Sequence, residues 1–426
     1  MSTHSVRVVL IPLEASRSRA LVLALTLVAA AVLAAAIVGP AVAGYLADHA
    51  TTVGALEHAV AWDPRDPDLH LRLGHSYASL AEGPDYERAR LHLETALRLR
   101  PSDAHARLYL ALLFDRSGER DAAREALDAA LRADPHNATI RWDAALLAFG
   151  WGDRARALEH FRYVLAVDPL QQDAAFQLAR TLLRPDEDPG DLLPQEATGL
   201  TNVLAVAIRH KDFMLAEAAW TRRASLAPPL PQDLGRQYLN LLLEEGEGGT
   251  ARRVWTALVP NVQLARDGDA VWDGGFEADR LSGWGLDWRV QRAWGVEVAL
   301  DRFVAAKGNG SLRLTFNSFP TLNFAGISQL VAVEPGREYQ LRAQAKALDF
   351  VTRSGLKLQV VLPKGEQVLA ETNAITGTTA WWVPLEAKVR IPVDTSLVML
   401  RLRREPASLP EGNLGGKVWL DEVSLQ

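Results

Sequence analysis

The side chains best suited to binding chemistry are unevenly spread along the chain. Seven of the twelve tryptophans fall in the C-terminal part, at Trp272, Trp284, Trp288, Trp294, Trp381, Trp382 and Trp419. An exposed indole offers a flat apolar face on which the C–H face of a sugar ring can stack, so surface tryptophans here would suit a glycan groove. Adjacent residues on a strand point to opposite sides, so at most one of Trp381 and Trp382 can face solvent. The competing role for any one of the tryptophans is packing in a core or at its rim.

Other chemistry is thinly supplied. There is no cysteine, which excludes disulfides, thiolate zinc sites and cysteine nucleophiles. All ten histidines lie at or before His210, so the last 216 residues can host neither a histidine-based triad nor a histidine zinc site. The nucleophile elbow, the phosphate-cradling loop, the dinucleotide fingerprint and the HExxH zinc motif do not occur. Two carboxylates could still converge to cleave a glycoside, but nothing in the sequence marks a pair. The chain therefore reads as a binding protein with no catalytic residues to nominate.

The elements that must hold these residues begin with the N-terminus. Ala20 to Val38 is a run of nineteen residues without a charge. At ~1.5 Å per residue it nearly matches the ~30 Å hydrocarbon core of a bilayer, and it has no polar face to turn to water. Arg7, Arg17 and Arg19 precede it against a single Glu14. The positive-inside rule then predicts a cytoplasmic segment over 1–19, a transmembrane helix over 20–40 and an exported remainder, as in a single-pass bacterial inner-membrane protein with its bulk in the periplasm. The alternative is a signal peptide cleaved after Ala41-Val42-Ala43, leaving a soluble periplasmic protein. The formal charge of −6 and the lack of a Lys/Arg stripe argue against nucleic acid as a partner.

The next 220 residues or so read as helical, and 41–259 is expected to be one helical domain. Asp63-Pro64, Arg100-Pro101, Asp134-Pro135 and Asp168-Pro169 recur with proline spacings of 37, 34 and 34. Glu82-Gly83-Pro84 supplies the three extra residues of the first interval. Leu73, Gly74, Tyr77, Ala89, Leu93 and Ala96 in the first full repeat are matched by Leu110, Ala111, Phe114, Ala123, Leu127 and Ala130 in the second. The third carries Ala144, Ala145, Ala148, Ala157, Phe161 and Val164 at the same places. Small residues let two helices approach, large ones fill the gap between hairpins, and each proline stops a second helix. Residues 44 to 61 read as the second helix of a partial repeat. Beyond Leu183, segments 195–209, 212–226, 231–245 and 249–258 read as two divergent hairpins capping the solenoid.

This array resembles the tetratricopeptide repeat family, whose period is about 34 residues. The resemblance implies that the first helix of each hairpin lines a groove for a protein partner. On this chain those positions are Leu71, His75, Leu108, Leu112, Trp142, Leu146, Phe149, Phe176 and Arg180. The alternatives are ordinary packing between repeats, or a groove filled by the protein's own C-terminal domain.

After Pro260 the rhythm changes to period two. Residues 311–317, 338–347, 355–362, 397–403 and 417–425 alternate between turn-rich stretches, which predicts an antiparallel β-sandwich over 260–426. Asp273-Gly274-Gly275-Phe276-Glu277 with Gly283-Trp284, Gly308-Asn309-Gly310-Ser311-Leu312, Val333-Glu334-Pro335-Gly336-Arg337-Glu338-Tyr339 and Val418-Trp419-Leu420-Asp421-Glu422-Val423 follow in order. Together they resemble jelly-roll carbohydrate-binding modules and the wider galactose-binding-like sandwiches. The resemblance implies core positions for Trp284, Trp381 and Trp419, which leaves Trp288, Trp294 and Trp382 as the candidates for glycan contact, and a structural calcium ion held by Glu277 and Asp421 with turn carbonyls. No other cofactor is implied.

The expected protein is thus a membrane-anchored periplasmic scaffold: one transmembrane helix, an all-α tetratricopeptide solenoid and an all-β jelly-roll sandwich. Its solenoid would dock a protein and its sandwich a glycan or second protein, an architecture that resembles accessory proteins of cell-surface polysaccharide synthesis or export. The alternative is a structural assembly factor of another inner-membrane complex that binds no sugar. A divergent glycoside-active enzyme is the third reading.

Overall fold

The computed structural model describes residues 16–80, 83–184, 187–259, 268–318, 321–407 and 413–426. Arg7, Glu14, Glu82 and Pro260, named above, lie outside them. The first helix, α1 (Ser16–Asp48), is apolar on every side, with Leu21, Leu25, Val32 and Ile37 all exposed. It is the one helix among the described residues long and apolar enough to cross a membrane, a test that an N-terminal signal sequence also passes. The helix does not stop at residue 40. It runs through Pro40 and turns Ala43 and Ala47 into the same apolar cluster as Leu56 and Ala59 of α2 (Val53–Trp62). The single helix expected from 44 to 61 is therefore two pieces, the end of α1 and α2, with the break at 49–52. Proline lacks an N–H, but continuing the helix lets two small alanines pack, and that packing prevails here.

Three full hairpins follow. They are α3 (Pro67–Ala78) with α4 (Tyr86–Leu99), α5 (Ala104–Arg116) with α6 (Arg120–Ala133), and α7 (Ala138–Gly150) with α8 (Arg154–Val167). A further helix, α9 (Gln172–Leu182), packs on α8. Each aspartate- or arginine-proline pair has one job per residue. Asp63, Arg100, Asp134 and Asp168 close a helix by donating their N–H to the carbonyl four residues back. The proline then forbids another turn, and two residues later Asp66, Asp103 or Asn137 caps the next helix through its side chain. The small position is set by contact: a Cβ on Gly74 would stand 2.8 Å from Leu93 Cγ. Ala111 and Ala145 occupy the same place in the next repeats and are wholly buried. After α9 a short 3₁₀ turn, Pro189–Leu192, buries Leu192.

The chain divides into two compact units, 1–206 and 207–426. Helix α10 (Ala197–Arg209) spans the division. The second unit holds α11 (Phe213–Ala224), α12 (Gln232–Glu245), α13 (Gly248–Leu258) and all the strands. Secondary structure changes near residue 260, but compactness does not, because α13 lies on the sandwich. Ser396 Oγ accepts from the Gly248 N–H at 2.9 Å and donates to Gly246 O at 2.7 Å. Trp255 of α13 meets Trp272 and Trp284 edge to face, with ring centroids 5.4 and 4.8 Å away. The last helical hairpin thus packs within the sandwich unit.

The sandwich is two five-stranded antiparallel sheets. One runs β1 (Arg289–Val290), β4 (Phe324–Ala332), β9 (Leu397–Arg404), β6 (Lys357–Val361) and β7 (Val368–Glu371). The other runs β2 (Val296–Asp301), β3 (Ser311–Ser318), β10 (Leu414–Leu425), β5 (Glu338–Leu348) and β8 (Val383–Arg390). Leu312, Leu314, Phe316, Leu341, Ala343, Ala345 and Leu420 of one sheet face Ile327, Val331, Leu358, Val360, Val398, Leu400 and Leu402 of the other in a shared core. The five alternating segments of the sequence are β3, β5, β6, β9 and β10. Strand β4 was not legible because it is buried on both faces: Leu330 and Ala332, which point away from the core, are buried too. A strand covered on both sides loses its polar alternation.

Candidate binding surfaces

On the array, the groove positions fall into two rows, the second somewhat more accessible than the first. Leu71, Leu108, Trp142 and Phe176 repeat once per hairpin, and this row is sunk into the array. Leu108 and Phe176 are buried and the other two half-buried. Trp142 and Phe149 both set their rings at steep angles to the buried Phe161, at 6.1 and 6.4 Å. One helical turn further on stand His75, Leu112, Leu146 and Arg180. His75 and Leu146 are exposed and the other two half-buried. His75 stacks on Tyr109 at 4.5 Å, and partial burial together with Arg116 lowers its pKa. It is a packed helix residue that stays largely neutral near pH 7. The accessible part of the predicted groove is this second row.

The tryptophans redistribute. Trp288 is wholly buried, its indole N–H donates to Asp273 O at 3.1 Å, and its ring packs against Phe276. It cannot stack on a sugar, so that candidate is withdrawn. Trp294 is 73% exposed. Of the adjacent pair only one faces solvent, as alternation requires, but it is Trp381, at 82%, while Trp382 is half-buried. The core position implied for Trp381 is therefore corrected. It precedes β8 and stands past the last paired residue, so no facing sheet covers it. Trp419 is buried, its N–H donating to Asp301 Oδ2 at 2.9 Å, and Trp284 is half-buried.

Strand pairing locates the two exposed indoles. Val296 of β2, two residues after Trp294, pairs with Phe316 near the end of β3. Val383 of β8, two residues after Trp381, pairs with Ala345 near the end of β5. Both indoles therefore stand at the same end of one sheet, beside its two edge strands. Four strand spacings separate those edges, roughly 19 Å. Leu348 and Val351 are exposed at the same end, where β5 finishes.

Glu277 and Asp421 also come together, but around a loop. Asp421 Oδ2 accepts from the N–H of Ala306 at 2.7 Å and of Lys307 at 3.2 Å, and Oδ1 from Glu422 at 2.7 Å. Glu277 Oε1 accepts from Asn309 at 2.8 Å. Burial raises the pKa of Asp421, against the pull of its three N–H donors. Asp301 is a neighbouring brace: it takes the Trp419 indole, Arg313 at 3.3 Å and the Phe303 N–H at 3.0 Å. The donors are hard oxygens, as calcium requires, but four backbone amides already occupy them. No third Asp, Glu or His completes a metal cluster among the described residues. As placed, the two acids clasp the 306–309 loop.

Comparison with known proteins follows the same division. A family model described as tetratricopeptide repeat matches residues 79–149. A search of curated proteins returns no match. Among solved structures, one described as CBM4 is 13% identical, covers 36% of this chain and 97% of its own, and has a TM-score of 0.28. The CBM22-1 xylan-binding domain from Paenibacillus barcinonensis Xyn10C is 19% identical, covers 33% and 84%, and has a TM-score of 0.24. A Pseudomonas aeruginosa pilF structure is 18% identical, covers 47% and 95%, and has a TM-score of 0.27. The chain is a helical-repeat array, matched by the tetratricopeptide model over 79–149, followed by a C-terminal two-sheet antiparallel sandwich.

Proposed function

We propose that this is a two-headed, non-catalytic binding protein, its repeat array docking a protein and its sandwich unit holding a glycan. The observation that carries the reading is the pair of exposed indoles, Trp294 and Trp381, at one end of one sheet. Large aromatics are usually buried, and two left open beside one sheet end suit stacking on sugar rings. The protein-binding half rests on the repeat family and on the accessible row His75, Leu112, Leu146 and Arg180. The apolar helix α1 supports an anchor in a bacterial inner membrane with the bulk in the periplasm, and such a protein would serve cell-surface polysaccharide synthesis or export. Assembly of another membrane complex without sugar binding is the outcome to exclude. The test is twofold. The detergent-solubilised full chain should co-purify with a stoichiometric protein that Leu146→Asp releases. It should also be retarded in native gels containing at least one soluble polysaccharide. Retardation in none of a panel of xylan, β-glucan and galactomannan would reject the glycan half.

A further inference from the structure

A second surface of the sandwich unit has the makings of a small-molecule site. A cleft of about 330 Å³ opens between the α12–α13 hairpin and the segment that leads into β1. Gln232 and Arg236 of α12 and Trp255 of α13 form one wall; Trp272, Arg280 and Trp284 are prominent on the other. The volume is at the lower end of the ~300–1,000 Å³ usual for small-molecule clefts. It would admit a short saccharide or a chain end, not a long polymer in mid-run.

The walls are held in advance. The buried Gln329 amide grips the Trp272 backbone from both sides, accepting its N–H at 3.2 Å and donating to its carbonyl at 2.7 Å. Asp287 pins the turn that carries Trp284, taking the N–H of Ser282 at 2.6 Å and of Trp288 at 2.7 Å. Gly285 sits at φ +59°, and a Cβ there would stand 2.4 Å from the Trp255 ring, so a glycine lets the three indoles meet. Arg236 lies over Trp284, its guanidinium carbon 4.8 Å from the ring centre. A guanidinium over an indole can still turn N–H groups towards a ligand oxygen. The indole N–H of Trp255 is buried and finds no hydrogen-bond partner among the described residues. Leaving such a donor unmade costs roughly 1–3 kcal/mol, so native proteins seldom tolerate one without a water or ligand to meet it.

The cleft thus offers indole surface, donors from Arg236, Arg280 and Gln232, and an acceptor in the exposed Asp279. Mixed planar donors and acceptors around aromatic rings match a hydroxyl-rich ring, each of whose hydroxyls both gives and takes a hydrogen bond. We infer that this cleft is a second saccharide subsite, taking one or two pyranose units, and that helix α12 supplies part of it. The inference rests on the glycan reading above but assigns the sugar to a different place.

The experiment is saturation-transfer difference NMR on the detergent-solubilised full chain. The probes are cellobiose, xylobiose, mannobiose and galactose, with wild type and four variants. Arg236→Ala and Trp284→Ala alter half-open or exposed side chains of the cleft; Trp294→Ala and Trp381→Ala alter the sheet end. The expected result is that at least one probe binds and that each cleft variant weakens it about tenfold or more. Loss on Trp294→Ala or Trp381→Ala with Arg236→Ala unaffected overturns the cleft while the glycan reading stands. Binding untouched by all four variants also overturns the cleft. No binding of any probe by wild type overturns it too. The glycan reading itself then fails only if polysaccharide gels are also blank.

Discussion

The repeat array and the sandwich unit build their open surfaces by opposite means. In the array, an accessible residue is placed by its own helix. His75, Leu112 and Leu146 lie one turn past Leu71, Leu108 and Trp142 on the same face of their helices, so the groove face recurs hairpin by hairpin through local geometry. In the sandwich, Trp294 and Trp381 stand at the same end only because β2, β3, β10, β5 and β8 pair across up to 100 residues or more. A surface written locally tolerates change repeat by repeat. One assembled from distant strands depends on a core that must stay intact. The chemistry differs as well: nine of the ten histidines lie in residues 1–206, so the two units must respond differently to acid.

The largest contrast is between tryptophans of one unit. Trp288→Ala removes a fully buried ring that packs on Phe276 and should cost about 3–5 kcal/mol. Trp381→Ala should cost less than about 0.5 kcal/mol. Guanidinium denaturation of the two variants measures both. Equal costs would break the assignment of one to the core and the other to solvent.

Acid should separate the units next. Burial and Arg141 push the His160 pKa down to about 4, while in the unfolded chain it titrates near 6.5. The folded state then refuses a proton that the unfolded state accepts. Stability from this group is complete above pH 6.5 and drains away as pH falls towards 4, by up to about 3 kcal/mol. Asp273 of the sandwich has the opposite sign. Burial pushes its pKa up to about 6, so its penalty on folding is full above pH 6 and is relieved as pH falls towards 3.8. Peptide-resolved hydrogen exchange at pH 7 and 4.5, corrected for intrinsic rates, should show residues 138–167 losing protection and residues 270–290 holding theirs. His160→Gln should remove most of the change in the first segment.

A smaller effect tests the loop clasp. Asp421→Asn turns an NH₂ towards amides that already donate, and should lower stability by about 1–3 kcal/mol. Melting of the wild type should be the same in EDTA and in millimolar calcium chloride. A calcium-dependent rise of several degrees would show that an ion shares the clasp and would return Glu277 and Asp421 to the role of ligands.

The legibility of the chain follows the same contrast. The hairpins of the array were readable because cap, stop and packing positions recur within each repeat: Asp134 closes a helix, Pro135 bars its continuation and Asn137 starts the next. The end of α1 was misread because Pro40 signals a stop, while the packing of Ala43 and Ala47 on α2 carries the helix on. In the sandwich, alternation found β5 and β10 but could not say which tryptophan is covered. Trp288 and Trp381 sit in equally polar neighbourhoods of sequence, and only strand pairing buries one and frees the other. The α12–α13 wall of the cleft left no signal at all. Trp255 reads as one more apolar residue on an amphipathic helix, and its partners Trp272 and Trp284 lie beyond a change of secondary structure.

The central claim is that protein and glycan are held by different units. Affinity electrophoresis of the full chain in a gel containing a polysaccharide that retards it, run beside Leu146→Asp and a Trp294→Ala/Trp381→Ala double variant, tests it most directly. The account predicts that Leu146→Asp is retarded like the wild type and that the double variant runs as in a blank gel. Loss of retardation in Leu146→Asp, with the double variant unaffected, would contradict it.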